Sequence, residues 1–232
     1  PGEAGGTAIA DVLFGDYNPA GRLPISVPRS EGQLPVYYNK RAPLPHNYVE
    51  MAATPLYPFG YGLSYTTFHY DNLQVNKIGE RRYALNFDLT NTGKRDGEEV
   101  AQLYLTPETA SVVQPVKQLK HFKRVAIKKG ETVHVTFDLH PEDFQIIGSM
   151  LQPIIEPGLF NLFVGPSSEV KALQHTINLK WKRDLCLFVL FLNIDDLLNV
   201  NRKEITHRMI SMRKKKTSIA NKLALTKYSP MF

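Results

Sequence analysis

The sequence predicts a mainly β protein: a two-sheet β-sandwich preceded by a helix and a strand of the kind that end an α/β sheet. Three observations carry this. Two runs alternate with period two. Tyr83, Leu85, Phe87 and Leu89 alternate with Ala84, Asn86, Asp88 and Thr90, and Val133, Val135, Phe137 and Leu139 with Thr132, His134, Thr136 and Asp138. That is the signature of half-buried strands. Val100–Leu105 is apolar on both faces, with Ala101, Leu103 and Leu105 on one side and Val100 and Tyr104 on the other, as in a central strand covered on both sides. Turn residues recur between these runs, at Asn91-Thr92-Gly93, Gly97, Lys128-Lys129-Gly130-Glu131 and Pro157-Gly158.

The elements follow in order. Glu3–Phe14 is expected as a helix, with Ala8, Ile9, Val12 and Leu13 on one face, Glu3 at the positive end of the helix dipole and Gly15 as its stop. Gly2, Gly5 and Gly6 are not a phosphate loop, because no strand precedes them and no GK[ST] follows. After the turn Asn18-Pro19-Ala20-Gly21, Arg22–Val27 is expected as a short edge-like strand. Arg29–Pro58 carries five prolines (Pro35, Pro43, Pro45, Pro55, Pro58) and no periodicity, and its Tyr37, Tyr38, His46, Tyr48 and Tyr57 are expected to pin it to the domains it crosses rather than to stack on sugar rings. Tyr57–Phe68, rich in Gly and aromatics, is an ordered hinge.

Sandwich strands are expected at Phe68–Val75, Tyr83–Thr90, Val100–Leu105, Lys117–Val125 (one strand or a strand pair, with Leu119, Phe122 and Val125 facing in), Val133–Leu139, Phe160–Val164 and Leu173–Leu179. Pro141–Phe144 is expected as one helical turn and Met150–Ile155 as a further short strand. Asn91 and the glycines around it are expected to supply positive φ. About seven short strands fit an immunoglobulin-like sandwich of roughly 100 residues. The predicted core contains Leu85, Phe87, Leu103, Val135, Phe137, Leu162 and Val164.

The chain has 232 residues, a formal net charge of +6 and one cysteine, Cys186. Residues 181–232 carry 11 Lys/Arg against 4 Asp/Glu, which leaves residues 1–180 with 17 against 18. The basic character therefore says nothing about the sandwich or its ligand. Leu185–Leu192 is too short to span a bilayer, which needs roughly 20 residues. The basic cluster Arg213–Lys216 is a weak signal for nucleic acid or anionic lipid. Composition shifts abruptly at Trp181, and residues 181–232 are read as an atypical, non-native tail.

No catalytic constellation emerges. Glu3, Asp11 and Asp16 fit a helix start, a polar helix face and a turn. Glu98 and Glu99 are adjacent on a strand and point to opposite faces, and Glu142-Asp143 lies at a turn. Ser26, Ser30 and Ser64 lack a nucleophile elbow. His46, His69, His121, His134, His140, His175 and His207 lack metal-ligand spacing. His121–Arg124 with Lys117 and Lys120 forms a basic stripe, expected on a solvated strand face toward a neighbouring domain. No catalytic residue, metal ligand or cofactor is assigned, and no substrate-binding residue is identified.

Three stretches resemble one family in its own order. PGEAGGTAIADVLFGDYNPAGRLPISVP resembles the end of the second, α/β catalytic domain of glycoside hydrolase family 3. LYPFGYGLSYTTF resembles its link into the next domain. NTGKRDGEEVAQLY, PVKQLKHFKRV and KKGETVHVTFDL resemble its fibronectin type III-like domain. The resemblance implies residues 1–28 from the α/β domain, a linker at 29–66, the fibronectin type III-like sandwich at 67–180 and an unrelated tail at 181–232. It implies a parent enzyme, β-glucosidase- or β-xylosidase-like, that removes terminal β-linked sugars from oligosaccharides with retention and without cofactor. Its Asp nucleophile and Glu acid/base would lie upstream of Pro1, and this portion would be structural and inactive alone. The implied partners are the upstream catalytic domains and, through the parent, the oligosaccharide, with no nucleic acid and no membrane. The implied location is secreted, periplasmic or extracellular. The alternative is a sandwich module that binds polysaccharide or a cell surface, which a row of exposed aromatics would mark.

Overall fold

The computed structural model describes residues 2–41 and 51–180. The expectations on Pro43, Pro45, His46 and Tyr48, and on residues 181–232, lie outside the described residues. Helix α1 (Gly5–Phe14) begins after Ala4 and ends on Gly15, which adopts a left-handed φ of 84°. Glu3 falls ahead of the cap and no acidic residue sits in the first turn, so the expected dipole pairing is not made. A 3₁₀ turn at Glu31–Gln33 follows. Nine strands follow among the described residues: β1 (Phe68–Gly79), β2 (Arg82–Asn91), β3 (Gly97–Pro107), β4 (Gln118–Ile127), β5 (Thr132–Leu139), β6 (Ile146–Ile147), β7 (Pro153–Ile154), β8 (Gly158–Gly165) and β9 (Leu173–Leu179).

One sheet has the order β1-β2-β5 and the other β4-β3-β8-β9, all antiparallel, with β6-β7 as a separate hairpin. The predicted strand at Met150–Ile155 is thus only the second arm of that hairpin. Pro141–Phe144 is a 3₁₀ turn, the single helical turn the sequence implied. The turn after Asn91 does not fold β2 back onto β3. It carries the chain from one sheet to the other.

The core lies between the sheets. Leu85, Phe87, Leu103, Val135, Phe137, Leu162 and Val164 are all buried there, as the alternation requires. The outer face of the three-stranded sheet is polar and internally paired. Opposite residues Thr90 and Thr132, Asp88 and His134, and Asn86 and Thr136 are hydrogen-bonded across β2 and β5. Such directly opposed pairs stabilise a ladder.

Two expectations on local geometry are corrected. Asn91, Gly93 and Gly97 do not adopt positive φ. Asn91 is instead fully buried and works through its side chain. Its Oδ1 accepts from Thr66 Oγ1 (2.6 Å) and the Gly93 amide (3.0 Å), and its Nδ2 donates to the carbonyls of Arg95 (2.8 Å) and Ile127 (3.1 Å). Gly93 is required because an added Cβ would collide with Thr66 and the Thr67 amide. The second correction concerns β4. Leu103 pairs with His121 but Tyr104 pairs with Leu119, so Lys120 is an extra residue in a bulge. The bulge resets the side-chain parity. His121 and Val125 keep the inner side, while Leu119 and Phe122 share the outer face with Val100 and Gln102. Phe122 is 68% exposed.

Candidate functional site

The outer face of the four-stranded sheet is covered by chain that precedes it in sequence. The segment expected as an edge strand, Arg22–Val27, joins no sheet. It runs antiparallel to the hinge, with the Leu23 amide donating to Tyr61 O (2.8 Å), the Gly60 amide to Leu23 O (2.8 Å) and the Val27 amide to Tyr57 O (2.8 Å). Pro24, Pro28 and Pro58 remove amide donors and keep this ladder short. The two segments form a strap over β3.

The strap is anchored by polar and aromatic contacts that continuous apolar runs do not announce. On the outer face Gln102 is 3% exposed. Its Nε2 donates to Gly60 O (3.1 Å) and Pro166 O (2.6 Å), and its Oε1 accepts from Tyr104 Oη (2.6 Å). Gly60 has φ +81° and lies so close to Gln102 that no Cβ fits. Tyr38 stacks on Phe59 at 4.1 Å and meets Tyr104 edge-on at 6.2 Å, and Tyr104 stacks on Phe163 at 4.8 Å. Tyr38 therefore pins the linker, while Tyr37 stays 65% exposed. This column is the second cover that Val100–Leu105 required.

Beneath the strap, Arg22 reaches Glu99. Nη2 lies 2.9 and 2.8 Å from the two carboxylate oxygens, and Nη1 donates to the carbonyls of Ala20 (3.4 Å) and Gly21 (3.2 Å). Tyr70 Oη donates to Glu99 Oε1 (3.1 Å) from the inner face of β1. Glu98 points the other way and pairs with Arg124, which also reaches Tyr17. The sequence expectation for the two glutamates therefore holds, and neither carboxylate faces the other. Between strap and sheet lies a groove of about 300 Å³, lined by Leu23, Pro24, Phe59, Val100, Leu119 and Phe122 among others.

Burial, then the adjacent Glu99 charge and its hydrogen bond, raises the Tyr70 pKa far above the phenol range. Burial likewise raises that of Tyr104, with Tyr38 and Glu169 adding to it. Both phenols stay protonated in the folded chain at pH values where they ionise in the unfolded one. Their folded values lie above the unfolded value of about 10, so stability is intact below that pH and falls as pH rises past it. Denaturant midpoints measured at pH 8 and pH 11 should therefore differ, and Tyr70→Phe should shrink the difference. An unchanged difference would show that Tyr70 is free to ionise.

The helix is held at the end of the sandwich where β2 passes to β3. Tyr65 Oη donates to Val12 O (2.6 Å), Arg95 Nη1 donates to Gly15 O (3.0 Å) and Asn18 Nδ2 donates to Asp96 O (2.9 Å). Its large apolar residues are mostly uncovered: Ile9 is 54%, Leu13 71% and Phe14 83% exposed, with Val12 half-buried. Amides of α1 should therefore exchange orders of magnitude faster than those of Val133–Leu139. Equal protection would mean that the helix is a stable unit in its own right.

The remaining candidates separate. His121 Nε2 meets Asp143 Oδ2 at 3.0 Å, Lys117 Nζ meets Glu169 at 2.9 Å and Arg124 meets Glu98, so the basic stripe is split by the bulge and neutralised piecewise. Burial lowers the Lys120 pKa. His134 is paired with Asp88, and Asn72 and His134 together lower the Asp88 pKa. Among the described residues no group of three or more His, Cys, Asp and Glu could hold a metal ion, and no helix is long and apolar enough to cross a membrane. Arg22, Gln102, Thr66 and the side-chain role of Asn91 escaped sequence reasoning. The available signal was polar residues, Glu99 and Gln102, inside an apolar strand.

Residues 1–65 match the glycosyl hydrolase family 3 C-terminal domain and residues 99–168 match a fibronectin type III-like domain. The chain is 46% identical over 181 residues to the periplasmic β-glucosidase of Salmonella typhimurium, covering 72% of this chain and 24% of that protein. It is 42% identical over 190 residues to a β-xylosidase of Formosa agariphila, covering 78% of this chain and 26% of that one. The chain thus spans about a quarter of the length of these curated relatives. A solved β-glucosidase of Erythrobacter marinus superposes with a TM-score of 0.70 at 42% identity, over 75% of this chain and 23% of its own.

Proposed function

This chain belongs to glycoside hydrolase family 3, of which it carries the C-terminal part, and from that premise we propose that it is the supporting portion of a glycosidase that removes terminal β-linked glucose or xylose from oligosaccharides. The observation that carries the reading is the extended identity to enzymes named β-glucosidase and β-xylosidase. Retaining hydrolysis needs a nucleophilic carboxylate and an acid/base about 5–5.5 Å apart across one sugar. On this reading both come from upstream domains of the same polypeptide and none from residues 1–180. The chain's own work is to hold the end of the α/β domain on a rigid sandwich, through the strap and the exposed face of α1. The periplasmic location in the Salmonella relative's own name supports a secreted or periplasmic location. The paired polar ladder of β2 and β5 argues against the alternative sugar-binding module, since stacking on a sugar needs exposed rings.

A chimera tests this. Residues 1–180 replace the matching C-terminal quarter of the Salmonella relative, and aryl-β-glucoside turnover is measured. The expected result is kcat/KM within about tenfold of the unaltered relative, a loss of no more than one decade of transition-state stabilisation. The 232-residue chain assayed alone should show no turnover of aryl-β-glucosides or aryl-β-xylosides. A folded, soluble chimera without activity, or turnover by the chain alone that one Asp or Glu substitution abolishes, would overturn the reading.

A further inference from the structure

Buried ion pairs are poor sources of stability, because both charges lose their water. The Arg22 and Glu99 side chains are only 10% and 4% exposed. The guanidinium is not fully satisfied either, since Arg22 Nε is buried without a partner. What sets the pair apart from an apolar contact is direction, because its hydrogen bonds fix the position of the atoms they join.

Packing fixes the strap on the sheet only in part: Phe59 stacks on Tyr38 beside Tyr104 and its carbonyl accepts from the Ser168 amide (3.0 Å), while the flanks are loosely held. Ile25 is 63% and Tyr57 41% exposed. Its internal ladder, Leu23 with Tyr61 and Gly60 and Val27 with Tyr57, does not define a place along β3 and, as an isolated two-stranded ladder, does not persist off the sheet. Two sandwich side chains meet the middle of the strap at defined atoms. Gln102 takes hold of Gly60 O from the outer face, and Glu99 takes hold of Arg22 from the inner face. Residues three apart on one strand lie on opposite faces, so the strap is gripped from both sides of β3. Tyr70, donating to Glu99 from β1, ties the grip to the opposite sheet. Arg22 also touches its own chain at Ala20 O and Gly21 O, so its position sets that of the turn leading back to α1.

We propose that Arg22, Glu99 and Tyr70 form a register latch, a positioning device that fixes where along β3 the N-terminal strap docks. With the pair removed the strap opens as a unit and the sandwich stays folded. This holds whether or not the parent is a glycosidase, because it concerns only how residues 20–27 and 57–61 sit on residues 68–180.

The experiment is amide hydrogen exchange on the full 232-residue chain, unaltered and as the double variant Arg22→Met/Glu99→Met. Replacing both charges leaves no uncompensated ion behind, so the sandwich should fold. The amides of Leu23, Val27 and Gly60 should exchange at least about tenfold faster than in the unaltered chain, while those of Phe87 and Val135 keep their rates. Strap amides as protected in the double variant as in the unaltered chain would show that packing alone sets the register and would overturn the latch. Glu99→Gln, which keeps shape and hydrogen-bonding capacity, is the second variant and should give the same selective opening. Loss of protection by strap and sandwich together in both variants would show that the two open as one unit, which also overturns it. Tyr70→Phe should accelerate strap exchange less than either, since the ion pair remains.

Discussion

Phe137→Ala should lower the unfolding free energy of the sandwich by about 3–5 kcal/mol, the range for truncating a well-packed aromatic. Phe137 is 5% exposed on β5 and lies between the sheets, 5.8 Å from the Phe87 ring and 6.2 Å from the ring of His121. The three belong to different strands, so the cavity left by alanine cannot collapse without moving both sheets. Interiors are packed too tightly to relax freely. The check is a denaturant titration of the two proteins with the slope held common. A cost under about 0.5 kcal/mol, as for surface substitutions, would mean that Phe137 does not face the core and that the register of β2 on β5 is wrong by one residue.

Asn91→Ala should cost roughly 3 kcal/mol or more, with one to three expected for each buried polar group left unpaired. Removing the amide would orphan the Thr66 hydroxyl, the Gly93 amide and the carbonyls of Arg95 and Ile127 together. The site is fully buried, so water is not at hand to replace them. Asn91→Asp should also be destabilising, because it keeps the two acceptor bonds but loses the donors to Arg95 and Ile127. Thermal unfolding of both variants is the measurement. Alanine at Asn91 without a clear drop in Tm would show that these hydrogen bonds contribute nothing net.

What the sequence discloses here follows from how local its signals are. Alternation at Tyr83–Leu89 and Val133–Leu139 is a property of one strand at a time, and both strands and their inward residues are found as predicted. The doubly apolar stretch Val100–Leu105 announced a second cover, and the Tyr38, Phe59 and Tyr104 column supplies it. Parity failed at β4, where Lys120 adds one residue to the ladder. A bulge is a relation between two strands and leaves no mark on the spacing of one. The same reason hid the strap. Arg22 in an extended piece looks like any edge arginine until Glu99 is brought to it across 77 residues. Asn91-Thr92-Gly93 was located correctly as a corner, yet its cause is a buried amide and a close approach, which propensity does not distinguish from a left-handed turn.

The strap comes before everything it lies on, and that bears on synthesis. A ribosome adds about 5–20 residues per second. Arg22 therefore leaves the tunnel roughly 4–15 s ahead of Glu99, given their separation of 77 residues and that rate. During that interval the segment has no partner to dock on. Its prolines and scattered apolar residues suit such a wait, since they offer no long β-edge to neighbouring nascent chains. Glu99 and Gln102 follow the strap out of the tunnel, so among the described residues the seam between strap and sandwich forms only after β3 has been made.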